Sequence, residues 1–178
     1  QANALGISVV TGVVNILVTL VAIALVDRIG RRPILMAGSI GMALSLGTMA
    51  LAFSQATAGA SGPVLSGAWG PIALVAANLF VVFFGASWGP LVWVLLGEIF
   101  PNSIRARALG VAAAAQWIAN FIITVTFPSL SAASLPLTYA GYAVFAALSF
   151  FFILRVVPET KGMKLEDADD LLAARAAG

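Results

Sequence analysis

Three amides, a threonine and a pair of tryptophans stand within runs of mostly apolar residues. Gln116, Asn120 and Thr124 recur every four residues, so on a helix they share one face, with Trp117 beside them. Asn15 lies at the middle of another apolar run, and Trp93 lies within a third, one helical turn past Gly89-Pro90. Amides both donate and accept hydrogen bonds, and an indole face covers C–H surface, so this set suits a neutral ligand rich in hydroxyls. An anion or an amine would call for a charged partner, and no Asp, Glu, Lys or Arg falls at that depth of any apolar run. The same residues have plainer uses. An intramembrane Asn commonly makes a helix-to-helix hydrogen bond of about 1 kcal/mol, and Trp93 can fill a gap between helices. The chain has no cysteine and no histidine, which removes thiolate chemistry and Cys- or His-based metal sites; no catalytic and no metal-ligating residues are expected.

The charged residues form a second constellation. Asp27, Arg28, Arg31 and Arg32 crowd a tight turn, DRIGRRP, in which Gly30 permits a conformation other residues avoid and Pro33 is placed to open a helix. Glu98 ends the run that Gly89-Pro90 breaks, and Arg105 follows across the short turn at Pro101, so the two are expected to meet at the helix ends. A half-buried carboxylate without a partner is expensive; a static tie and a gate that opens with conformation are equally compatible with the pair. Pro90 removes a backbone donor and clashes with the preceding turn, so the carbonyl it frees must be satisfied by protein or by a water-filled cavity. A broken span therefore points to a cavity, as in transporters whose sites form at discontinuous helices.

The elements that must position these groups are membrane helices. The chain is 61% hydrophobic and 9% charged, with a mean hydropathy of +1.06, far from a soluble domain. Apolar runs long enough to span a bilayer occur at residues 4–26, 34–53, 71–96, 108–130 and 137–157, which predicts an all-α integral membrane bundle of five helices over residues 1–157 and a tail at 158–178. Small residues at Gly38, Gly41, Ser45 and Gly47 predict close helix packing. All nine Lys and Arg fall in the loops 27–33 and 97–107 or from Arg155 onward, whereas the other two loops carry no charge. The positive-inside rule then places those loops and the C-terminus in the cytoplasm and Gln1 outside. In the tail, Leu165, Ala168 and Leu172 share a face and Glu166 and Asp167 fall in the first turn, predicting a short surface helix over 164–174. The net charge of +2 is small and scattered, and no nucleic-acid partner is expected. Gln1 opens the chain with no basic leader before the first apolar run, so it reads as internal to a longer polypeptide.

The loop DRIGRRP, the run SWGPLVWVLLGEIFPNSIRARA, the continuation AAAAQWIANF and the terminal PETKG occur here in order and on the expected topology. Together they resemble the sugar porter family of the major facilitator superfamily, most closely its bacterial xylose/proton and glucose/proton symporters. The resemblance covers essentially the whole chain and implies helices eight to twelve of a twelve-helix fold in a bacterial plasma (inner) membrane. It implies that Asn15, Phe84, Gly89, Trp93, Gln116, Trp117 and Asn120 contribute to, or lie beside, a monosaccharide site. It also implies that Asp27, Arg28, Arg31, Arg32, Glu98, Arg105 and Glu159 form a charge network that steadies the outward-facing state. The partners so implied are a neutral hexose or pentose, the lipid bilayer, and the N-terminal half and seventh helix of the same transporter. No cofactor is implied beyond the proton as coupling ion. Symport is favoured by resemblance alone, because every acid of the chain lies at the charged side or in the tail. A facilitative uniporter, a non-transporting sugar sensor on the same fold and a membrane-anchored structural subunit are the other readings; a structural subunit would not need the midplane amides, and a sensor would be expected to carry a long signalling tail.

Overall fold

The computed structural model describes residues 28–59 and 62–162 and, before them, residues 9, 12, 13, 16–20, 24 and 26. Those ten earlier residues are all helical. Asn15, Asp27 and the expected tail helix at 164–174 lie outside the described residues. Next along the chain come α1 (Arg31–Ser54), a hairpin of β1 (Thr57–Gly59) and β2 (Gly62–Val64), α2 (Trp69–Ala86), α3 (Trp88–Ile99) and α4 (Arg105–Val156). Among the described residues, three helical stretches are long and apolar enough to cross a membrane: Arg31–Ser54, Trp69–Ile99 and Arg105–Val156.

The 52 residues of α4 would reach about 78 Å as one straight helix, more than twice the hydrocarbon thickness. They do not run straight. Ser134 leaves the helical region (φ −165°, ψ 105°), and its hydroxyl accepts the Leu137 N–H at 3.4 Å, the geometry of an N-cap. Phe127 and Tyr139 would be about 18 Å apart along a straight helix, yet their ring centroids are 6.4 Å apart, and Phe127 stacks on Tyr142 at 6.5 Å. The chain thus doubles back into two legs. The expected six-residue connection at 131–136 shrinks to the one non-helical residue, because Pro136 falls in the first turn of the second leg, where its missing N–H has no helical acceptor to lose.

α1 is the bed on which the other elements lie. It runs antiparallel to the second leg of α4: Arg32 donates to the Leu154 carbonyl at 2.6 Å, the Ser39 and Ser149 hydroxyls are 2.8 Å apart, and Phe53 stacks on Tyr139 at 5.4 Å. Its small residues admit the broken helix, as their spacing suggests. A Cβ added at Gly38 would fall 1.9 Å from Ser87 Oγ, and one at Gly41 would fall 2.3 Å from the Phe83 ring. Gly47 differs, since nothing lies within 4 Å of the place its Cβ would take. A buried cluster of Leu35, Leu91, Leu95, Ile153 and Val26 joins α1, α3 and the end of α4.

The span that contains Gly89-Pro90 is broken, but at Ser87 (φ −132°, ψ −92°) rather than at the Gly-Pro pair. The reason is steric. A helical Pro90 would clash with the carbonyl four residues back, on Ala86, so the chain departs from the helix immediately after that residue. Pro90 then becomes the third residue of α3, where proline is tolerated. Ser87 closes the end of α2, its N–H donating to Phe84 O at 3.2 Å and its hydroxyl to Phe83 O at 2.5 Å.

Candidate substrate wall and charged latch

The charged turn, the end of α3 and the segment after α4 converge at one end of the molecule. Gly30 takes φ 102°, a left-handed conformation that lets the chain turn sharply into α1. The four donors that open a helix have no intrahelical acceptor, and here each is accounted for. Gly30 N–H reaches Val26 O at 3.0 Å. Arg31 N–H donates to Glu159 Oε1 at 3.0 Å and Arg32 N–H to Glu159 Oε2 at 3.2 Å. Pro33, the third helical residue, has no N–H to satisfy. A carboxylate from the far end of the chain therefore caps α1 in place of a local side chain, with the helix dipole in its favour. Any residue but glycine at 30 would obstruct it, since a Cβ there would fall 2.6 Å from Glu159 Oε2. The same carboxylate also accepts the N–H groups of Thr160 and Lys161, each at 3.0 Å, and Lys161 Nζ donates to Arg28 O at 2.5 Å.

Glu98 takes Arg31 as its partner. The guanidinium grips it in a fork, Nη2 to Oε1 at 2.7 Å and Nε to Oε2 at 3.1 Å, with the two side chains 11% and 23% exposed. Thr160 adds its hydroxyl to Glu98 Oε2 at 2.6 Å. The expected meeting of Glu98 with Arg105 does not occur. Arg105 instead donates within its own turn, to Phe100 O at 3.1 Å and to Asn102 Oδ1. The turn opened by Pro101 bends Arg105 back onto these near oxygens, while the Gly30 turn delivers Arg31 to Glu98 in a bidentate geometry that a planar guanidinium matches well. Of the seven residues of the expected network, Arg31, Arg32, Glu98 and Glu159 are joined directly, and Arg28 through its carbonyl. Arg105 stands apart, and Asp27 lies outside the described residues. Thr160 and Lys161 are members that their residue types alone did not announce; their place in PETKG, next to Glu159, was the available signal.

The residues expected at the substrate site are arranged differently. Phe84 is half-exposed on α2, its ring 6.2 Å from that of Phe80, and its carbonyl lies 3.3 Å from where a Cβ at Gly89 would fall. Gly89 thus lets the two half-helices approach across the break. Trp93 on α3 is 37% exposed and Trp117 on the first leg of α4 is 72% exposed. Gln116 and Asn120 lie exposed on that leg, and Thr124 donates back to Asn120 O at 2.8 Å. No hydrogen bond or ring contact joins Trp93 to the amide pair among the described residues. Each is presented outward, as one wall of a site would be.

Known proteins match this chain over nearly its whole length. Residues 2–172 match the family model described as "Sugar (and other) transporter". The chain is 57% identical over 167 residues to the "Glucose transport protein" of Synechocystis sp., covering 93% of this chain and 36% of that protein. It is 38% identical over 172 residues to the "D-xylose-proton symporter" of Escherichia coli (strain K12), covering 92% of this chain and 33% of that one. Its fold superposes on the proton:xylose symporter XylE bound to 6-bromo-6-deoxy-D-glucose with a TM-score of 0.82 at 36% identity, over 96% of this chain and 35% of the other. The chain spans about a third of the length of the curated relatives it matches. With its helical spans, its ordered motifs and a family match that runs nearly end to end, this chain belongs to the sugar porters of the major facilitator superfamily, a family of membrane transporters rather than enzymes.

Proposed function

We propose that the chain forms part of a twelve-helix transporter, as helices eight to twelve, and that the whole moves a neutral monosaccharide, a hexose or pentose, across a bacterial plasma membrane by alternating access. The observation that carries this reading is the span broken at Ser87, which presents Trp93 outward, in a chain whose α4 also exposes Gln116 and Asn120 with no charge at their depth. Neutral donors and acceptors at a discontinuous helix suit hydroxyls. In this reading Gln116 and Asn120 bond ring hydroxyls, Trp93 lies against the sugar, and Asn15, Phe84, Gly89 and Trp117 complete or flank the wall. The N-terminal half and the seventh helix supply the other wall. Asp27, Arg28, Arg31, Arg32, Glu98, Arg105 and Glu159 belong to the cytoplasmic end, where the Arg31–Glu98 pair and the Glu159 cap act as a latch that opens as the transporter changes state. Arg105 contributes there by shaping its own turn.

Sugar/proton symport is the form proposed, by likeness to the xylose symporter. Because the acids of this chain lie at the latch or beyond it, the carboxylate that carries the proton then belongs to the rest of the transporter. Facilitated diffusion is the second reading, supported by likeness to the "Glucose facilitated diffusion protein" of Zymomonas mobilis subsp. mobilis, 35% identical over 167 residues. Proteoliposomes holding the complete transporter test both. Labelled glucose or xylose should exchange across the membrane and accumulate when an inward proton gradient is imposed. Exchange without accumulation would select facilitated diffusion, and no exchange of either sugar would overturn the assignment.

A further inference from the structure

At the break in the span Trp69–Ile99, Trp88 opens α3 with its indole N–H, a group that can only donate. It donates to Ser39 Oγ on α1 at 2.9 Å. Ser39 is fully buried, its hydroxyl lies 2.8 Å from that of Ser149 on the second leg of α4, and Ser149 donates to Ala146 O at 2.7 Å. One arrangement uses every proton once: Trp88 to Ser39, Ser39 to Ser149, Ser149 to the carbonyl. The relay ties three elements together, and an unpaired N–H or hydroxyl at this depth would be costly. Gly38 beside it leaves room for Ser87, the residue at which the helix breaks.

We infer that Ser39 and Ser149 are positioning residues: they pin Trp88 and so fix the rotation of α3, which decides where Trp93 points. At 100° per residue Trp93 lies about 140° around the helix from Trp88. Trp88, Leu91, Leu95 and Ile99 fall on the pinned face, where Leu91 and Leu95 are buried against α1 and the end of α4, and Trp93 is carried to the opposite, open face. The Arg31–Glu98 pair holds the other end of α3, but an ion pair on two long side chains tolerates rotation that a short serine–indole bond does not. Trp93 lies five residues from each hold, and the serine–indole bond is the stiffer of the two. This rests on the reading that Trp93 faces the sugar.

The test uses the complete transporter, freed of other reactive cysteines, with a Trp93→Cys substitution and a small water-soluble methanethiosulfonate as probe. The thiol should react, and glucose or xylose should slow the reaction. Adding Ser39→Ala, or Trp88→Phe, which keeps the ring but removes the donor, should lower the reaction rate by about three- to tenfold, the shift that loss of one neutral hydrogen bond produces. Ser149→Ala, which leaves the Trp88–Ser39 bond in place, should have a smaller effect. Sugar affinity with Trp93 intact should fall in the same order. A positioning role requires that order in protein that stays monodisperse. Rates within twofold of the parent for both Ser39→Ala and Trp88→Phe would overturn the pin and leave the sugar site standing. A Trp93→Cys thiol that never reacts, or reacts without sugar protection, would remove the sugar site and the pin's aim with it.

Discussion

The charged end and the amide face of this chain are opposites in how far they complete themselves. At the charged end, Glu159 and Glu98 together accept seven hydrogen bonds from the start of α1, from Arg31 and from their own segment. The amide face leaves Gln116, Trp117 and Asn120 exposed. The difference teaches which part of the proposed mechanism resides in this chain. Among the described residues the charged groups of the proposed latch find their partners within this chain. In the proposed reading the sugar wall is completed by the rest of the transporter.

The largest effect expected is all-or-none. If the charged end is cytoplasmic, single cysteines at Ala60 and Ala133 should label with an impermeant reagent in intact cells, and one at Ala168 only after permeabilisation; the reverse pattern would put the latch on the outer side. Next comes the latch itself. Glu98→Ala removes the fork that holds a largely buried guanidinium and leaves it weaker bonds such as that to Val26 O, at a cost of up to about 3 kcal/mol, and should shift the balance of inward- and outward-open states seen in spin-label distances between the transporter's halves. Arg105→Ala should shift it much less, because among the described residues Arg105 bonds only within its own turn; an equal shift would restore Arg105 as Glu98's partner. Gly30→Ala forces a side chain into a left-handed backbone and against Glu159, with about 1 kcal/mol or more expected from the backbone alone, and the same distance measurement should register loss of the cap. The smallest effect separates two glycines of α1. Gly38→Ala should destabilise the bundle to denaturant, since its Cβ meets Ser87, whereas Gly47→Ala meets nothing and should be neutral or stabilising by up to about 1 kcal/mol.

Much of this was legible in the residues themselves. The apolar runs and the small-residue face at Gly38 and Gly41 follow from composition and spacing, and the grouping of Arg31, Glu98 and Glu159 follows from the family resemblance alone. Three features were not, for physical reasons. Pro90 announces a break but not its place, because the clash acts on the carbonyl four residues upstream and moves the break to Ser87. Nearness in sequence suggested Arg105 for Glu98, but a left-handed turn at Gly30 outcompeted nearness by delivering a better-shaped donor. Ser39, Trp88 and Ser149 gave no signal, since a lone serine among small residues in an apolar helix reads as packing, and only the fold shows that an indole N–H ends on it.

The amide face carries the central claim, and equilibrium sugar binding to the purified, monodisperse transporter tests it most directly. Gln116→Ala removes hydrogen bonding to hydroxyls worth roughly 0.5 to 1.5 kcal/mol in total, so affinity for glucose or xylose should weaken by about three- to tenfold. Trp93→Ala should weaken it at least as much, because it also opens a cavity beside the broken helix. If both variants stay folded and bind these sugars as tightly as the parent, the face only packs the membrane bundle and the assignment of the sugar site is wrong.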